Sequence, residues 1–391
     1  MALLFLLSLA GLFPTAAVPF SVGWKTLTLF DLLFGAAVIQ AGFRRSLRPL
    51  DRRLACAAAT FWVGAWVALA VHPTGAGLRV VFQCGYSLVV FLLAAHLSLK
   101  PLEARPLILR PLGVALVIAW VIFTTENLAG ISVGANLSPS LPSYIHRLGG
   151  FTGGNALILF ICLGAPLVTH PSLALLGVAL SGCATLSRSM MGMGVAILLA
   201  RWRAQPTHRS WSYATTALAW ISIALGLFAY LFAVIPVEPA QRTSLIPSLQ
   251  PGSYLTVHRA DVRMFASQPL VGVGPGRAVQ FFSRFATPEE RKMVVYAPMR
   301  LNPHSAILGL AAEQGVVGLG AFAWLMFEIY RRLGASTDHD YRRLASAALT
   351  GLLVGGHFVD WIALKGLWLW IGFIVAASAS TTEAGEQTGS D

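Results

Sequence analysis

One feature constrains this chain above all others. Uninterrupted apolar runs of about 17 to 25 residues recur along nearly its whole length, each long enough to cross a hydrocarbon core of roughly 30 Å as a helix. The runs are continuous, which excludes the dyad alternation of an outer-membrane barrel. Composition agrees: 56% of the residues are hydrophobic and 11% are charged, where soluble domains carry roughly a quarter charged residues. The expected fold is an all-α polytopic membrane protein of about 12 transmembrane helices, near 2–20, 24–42, 54–72, 78–99, 108–127, 153–169, 172–186, 189–200, 213–236, 304–330, 343–359 and 362–380. These form a single transmembrane domain over 1–380, with one long extracytoplasmic loop at 237–303 and a polar tail at 381–391 that is expected to be disordered and cytoplasmic.

The first twenty residues, MALLFLLSLAGLFPTAAVPF, share with secretory leaders an apolar stretch and a small-residue TAA triplet, but no basic residue precedes the stretch. An uncleaved first span is therefore expected. Orientation follows from arginine, because short cytoplasmic loops collect Lys and Arg. FRRSLRPLDRR (43–53), KPLEARPLILR (100–110), RWRAQPTHR (201–209) and RRLGASTDHDYRR (331–343) are the basic loops, and the order of the spans puts all four on one side. Cys56, Cys84, Cys162 and Cys183 fall at scattered spacings inside spans and read as packing residues rather than as a disulfide framework or a metal site.

Those four loops hold 15 of the 28 Lys and Arg, leaving 13 elsewhere, chiefly on the opposite side. The 237–303 loop carries Arg242, Arg259, Arg263, Arg277, Arg284, Arg291, Lys292 and Arg300 against Glu238, Asp261, Glu289 and Glu290. A loop longer than about 60 residues escapes the orientation rule, so its translocation needs no special account. Its excess positive charge does, with a solvated surface or lipid-headgroup contact as the plain reading. Arg147 and Arg188 sit in or beside short extracytoplasmic turns, where the topology bias opposes arginine. Convergent arginines suit a phosphate-bearing ligand, because the guanidinium fork matches phosphate and stays charged. Snorkelling to the interface is the alternative for Arg188.

In LNPHSAILGL (301–310), Asn302 is a good N-cap and Pro303 fits the first helical position, which puts His304 in the first turn. The positive end of the helix dipole disfavours imidazolium there. A neutral histidine at a cavity mouth can take a proton from a hydroxyl, as a general base must; the alternative is an interfacial histidine bonded to lipid or backbone. Glu313, nine residues on and about 13.5 Å deeper, is too far for a dyad with His304 and reads as a packing anchor. Gly272, Gly274 and Gly276 in PLVGVGPGRAVQFF (269–282) lack the Lys-Ser/Thr ending and βαβ setting of a nucleotide loop, and read as a tight turn that re-aims the chain toward the membrane.

The order of these segments resembles the O-antigen ligase and O-antigen polymerase superfamily of bacterial envelope glycosyltransferases. HRLGGFTGGN (146–155), LSRSMMGMG (186–194), RADVRMFASQPLVGVGPG (259–276), PHSAILGLAAEQGVVGL (303–319) and GGHFVDWIALKGLWLWIGF (355–373) match it in sequence order, over about half the chain from residue 146 onward. The resemblance implies an inner-membrane protein with its active site facing the periplasm. It would transfer a glycan from undecaprenyl pyrophosphate to a lipid A-core hydroxyl, with no metal, no cofactor and no nucleic-acid partner. It implies His304 as base and Arg188 as a pyrophosphate ligand. Arg147 shares that side of the membrane, and Arg259 and Arg263 both fit the role of a loop arginine that binds pyrophosphate. An O-antigen or exopolysaccharide polymerase, or a protein O-oligosaccharyltransferase of the same superfamily, uses the same donor with another acceptor. A lipid-linked glycan transporter is the rival of a different class; it expects paired internal repeats and midplane charges, and neither is seen in the sequence.

Overall fold

In the computed structural model the described residues are 1–13, 17–22, 25–44, 47–49, 51–129, 148, 154–168, 173–185, 187–201, 209–232, 253–293 and 305–387. They are helical apart from one two-stranded hairpin. Four helices are long and apolar enough to cross a membrane: α3 (Arg52–Val71), α4 (Gly75–Ala95), the Pro101–Glu126 part of α5 (Pro101–Ala129) and α13 (Ala306–Gly334). Shorter apolar helices accompany them: α1 (Ala2–Gly11), α2 (Leu29–Arg44), α6 (Gly154–Gly164), α7 (Leu173–Ala184), α8 (Met190–Arg201), α9 (Arg209–Phe232) and α15 (Lys365–Gln387). The set is completed by α14 (His339–Gly356) and, in the long loop, α10 (Ser253–Ser267), α11 (Ala278–Phe285) and α12 (Pro288–Met293).

The N-terminal region departs from expectation. A span at 2–20 is replaced by the ten-residue α1, about 15 Å long at 1.5 Å per residue, followed by strand β1 (Ala17–Val22) paired antiparallel with β2 (Lys25–Thr28). Pro14 and Pro19 oppose a continuing helix, and the Val- and Thr-bearing stretches on either side suit strands. At the other terminus α15 runs on through Gln387, into the segment expected to be disordered.

Charge pairs and small residues set which ends of the helices lie together. Asp51 caps α3 by accepting from Arg53 N and Leu54 N, and it also binds Arg332 at the foot of α13. Burial works against its charge, but the Leu54 N–H and Arg332 overcome it and hold the carboxyl below its usual range. His96 Nε2, past the end of α4, accepts from Asp51 N at 2.8 Å, and Arg105 of α5 lies 5.9 Å from the centre of the Tyr341 ring on α14. The helices α8 and α14 pack antiparallel through glycines: a Cβ on Gly192 would fall 2.2 Å from Gly351 O and 2.5 Å from Gly355 N. That packing brings Arg201 toward the same end. The described cations of the basic stretches, Arg105, Arg201, Arg331 and Arg332 among them, therefore lie toward one end of the bundle.

At the opposite end the long loop is built into the membrane helices. The helix α13 breaks at Gly315, with φ 62° and ψ −156°. The Ala312 and Glu313 carbonyls, which in an unbroken helix would accept from residues 316 and 317, accept instead from Val273 N at 2.8 Å and Gly274 N at 3.0 Å. Val316 N and Val317 N donate in turn to Pro269 O at 2.8 Å and Leu270 O at 3.2 Å. Irregular backbone at this depth is tolerated only where protein satisfies it, and residues 269–274 do so. Gly272 has φ 65°, and a Cβ there would lie 2.4 Å from the Glu313 backbone. The turn expected at Gly272 to Gly276 is thus a wedge in a helix break.

Candidate functional site

Sequence reasoning overlooked the polar face of α4. Arg79, Gln83, Tyr86 and Ser87 follow i, i+4, i+7 and i+8, one stripe of an otherwise apolar helix. The stripe faces an open cavity of about 410 Å³, lined also by Thr28 of β2, Ala156 and Phe160 of α6, Ala10 and Gly11 of α1, and residues 363–366. The signal was present in the sequence, but four polar residues spread over two turns hardly change the mean hydropathy of a span.

Lys365, the first residue of α15, forms one end of the cavity. Its Nζ donates to Asp31 Oδ1 at 2.6 Å and to Thr28 Oγ1 at 2.9 Å, and lies 4.9 Å from the Phe30 ring centre. Tyr86 donates to Asp31 Oδ1 at 2.8 Å, while Thr28 gives Asp31 Oδ2 both its N–H at 2.9 Å and its hydroxyl at 2.7 Å. Asp31 is thereby satisfied several times over, and the β-hairpin is tied to α2, α4 and α15.

Arg188 is tied through its turn to α6, one wall of this cavity. It occupies the Ser187–Ser189 turn between α7 and α8 and is only 6% exposed. Ser187 donates to Asn155 Oδ1 at 3.1 Å, next to the cavity-lining Ala156, and Ser189 donates to Gly355 O at 2.8 Å at the end of α14. Leu148, directly after Arg147, donates its N–H to Ala184 O at 3.1 Å, four residues before Arg188. Arg147 and His304 themselves lie outside the described residues. The cap of α13 is Ser305, whose hydroxyl accepts from Leu308 N at 3.1 Å. The described helix thus starts three residues later than an Asn302 cap would have it.

The two loop arginines differ. Arg263 grips Glu290 with both terminal nitrogens, at 2.6 Å and 2.8 Å, and the Phe285 carbonyl at 2.7 Å. Glu290 in turn is held below its usual range, first by this bond. Arg263 therefore ties α10 to α11 and α12, whereas Arg259 is exposed on α10.

Glu313 serves as an anchor, though not between neighbouring membrane helices: its carboxylate accepts from Gly276 N at 2.9 Å and Ala278 N at 3.1 Å and so holds the wedge. Near it, Asp261 of α10 is 2% exposed, and among the described residues its Oδ2 has no hydrogen-bond donor. Burial, together with the Glu313 charge, pushes Asp261 up to about 8.

The fold and cavity define a helical protein with apolar helices of membrane-crossing length and a polar cavity that carries cations at the end away from the basic loops. No protein-family model matches the chain, and no curated protein matches it either.

Proposed function

We propose that the protein is a metal-independent glycan transferase of the bacterial inner membrane, of the O-antigen ligase type, with about twelve membrane crossings and its cavity facing the periplasm. The observation that carries this reading is the buried Arg188 turn, tied to one wall of a cavity lined by Arg79 and Lys365, at the end of the bundle opposite the cations of the basic stretches. Positive charge suits a site that must stabilise a leaving pyrophosphate, and fixed guanidinium groups do so without reorganising as the charge develops. Arg188 is the pyrophosphate ligand, supported by Arg147 and by Arg259 from the loop; Arg263, engaged by Glu290, positions the loop.

His304 accepts the proton of the acceptor hydroxyl on a lipid A-core sugar. The hydroxyl oxygen bonds to the anomeric carbon of the glycan, the bond from that carbon to the phosphate oxygen breaks, and undecaprenyl pyrophosphate leaves with the electron pair. A positioned base contributes roughly 10²–10⁴-fold. In a deletion strain carrying His304→Ala at normal protein level, lipid A-core should lose its polymer and the lipid-linked glycan should accumulate. Normal attachment would remove His304 as the base. Short units still attached but not polymerised would transfer the reading to a polymerase.

A further inference from the structure

The long loop is rich in arginine, yet no charged residue falls between Arg263 and Arg277. The middle of that uncharged stretch is the wedge in α13, and two helices give its level along the bundle. Asp51 at the start of α3 binds Arg332 at the foot of α13, so both helices run from one common end. Higher up they touch: a Cβ on Gly64 of α3 would lie 3.6 Å from Val317 Cγ1 of α13. Gly64 lies about 18 Å along the axis from Arg52, and Val317 about 22 Å from Arg332. Leu270 accepts from Val317 N at 3.2 Å and shares that level. Gly274 lies against His72, just past the end of α3 and about 30 Å from Arg52. From Leu270 to Gly274 the chain therefore climbs on the order of 10 Å, and Leu270 sits inside a hydrocarbon core of roughly 30 Å.

Leu270 also points outward. It is 70% exposed, beside Val316 at 52% and Val317 at 40%. Exposed apolar side chains continue down α13 to Phe327 and along α3 through Val63 and Val67. The backbone suits such a depth, where protein must satisfy each polar group: Gly272 N donates to Gln268 O at 2.9 Å, Val273 N and Gly274 N donate to α13, and Pro269 has no N–H. We propose that the wedge is a re-entrant lipid contact, in which Leu270, Val316 and Val317 meet the acyl chains of the leaflet away from the Asp51–Arg332 end and anchor the long loop in the membrane. A contiguous apolar surface of this kind marks a membrane or protein contact. Its continuity with the exposed flanks of two helices of membrane-crossing length selects lipid. The contact requires only that α3 and α13 cross the bilayer and is independent of the transferase reading.

The test uses the full chain in nanodiscs of zwitterionic phospholipid, with Cys56→Ser and Cys183→Ser and a nitroxide attached at Leu270→Cys. Relaxation of the label by oxygen, which concentrates in hydrocarbon, is compared with relaxation by a water-soluble nickel chelate. Phe327→Cys supplies the lipid reference and Ser283→Cys, exposed on α11, the water reference. The oxygen-to-nickel ratio at 270 should match that at 327 and exceed that at 283 severalfold. Should Leu270→Cys fail to fold, Val316→Cys carries the same expectation. A ratio equal to that at 283 puts the wedge in water and overturns the proposal. Low access to both reagents, with spin–spin broadening between labels, means that a second copy covers the patch and overturns it too. A water-like ratio at 327 itself shows that α13 does not cross, with the same consequence.

Discussion

Both ends of the bundle pair acids with cations, but only one of them also sets cations around a cavity. At the basic-loop end, acids and cations close on one another: Asp51 takes Arg332 and caps α3, and Arg331 Nε reaches Glu328 at 2.6 Å. At the other end, Arg79 and Lys365 line a cavity, Arg188 is buried in a turn, and Glu313 serves backbone N–H groups instead of a cation. Paired charges near water add little stability and mostly fix register. At the cavity the Lys365–Asp31 ion pair ties the hairpin to α15, while Arg79 and Lys365 line a space large enough for a small ligand. The difference separates an end where charge pairs lock connections together from an end where cations line a cavity.

The comparison breaks most visibly at the wedge. Gly272→Val would force a β-branched residue into positive φ and press its Cβ on the α13 backbone, a loss of about 3 kcal/mol or more, read as a large fall in the thermal unfolding midpoint. Removing the acceptor from the same junction, Glu313→Ala strands the Gly276 and Ala278 N–H groups and should cost about 2–3 kcal/mol. If it costs nothing, the wedge is not held by that carboxylate. At the opposite end, Asp51→Ala loses a cap and an ion pair, about 1–2 kcal/mol, and should leave glycan transfer per folded molecule unchanged. A selective loss of transfer there would erase the distinction between the ends.

A pH-dependent effect concerns Asp261. Its native value of about 8 lies above the ordinary carboxylate range, so the native state holds this proton more tightly than the unfolded chain does. Its contribution to stability is complete below the unfolded value near 4 and is lost as pH rises through about 8. Asp261→Asn should therefore be more stable than wild type at pH 8 to 9, with the advantage shrinking toward acid pH in paired melts. An identical pH profile for the two proteins would show that Asp261 does not keep its proton in the fold.

Much of the helical architecture was legible because hydropathy acts locally: α3, α4, α5 and α13 lie close to the apolar runs that announced them. The Pro14 and Pro19 region misled, since its mean apolarity hid a strand pattern that depends on pairing 17–22 with 25–28. Glu313 and Gly315 were visible as odd residues in a span, but their partners come from 269–278, about forty residues earlier in the chain, and no local pattern specifies that match. Arg188 stood out because it opposed the topology bias. Arg79 did not, because one arginine at the mouth of a span looks like ordinary snorkelling until the cavity beside it is seen.

The most direct measurement is transfer by purified full-length protein from an undecaprenyl pyrophosphate-linked glycan to lipid A-core, scored as product per hour for wild type, His304→Ala and Arg188→Ala. The account predicts product with wild type and a fall of about 10²–10³-fold or more in each variant, at unchanged unfolding midpoints. Wild-type rates in both variants, or no product from folded wild type with that donor, would contradict it.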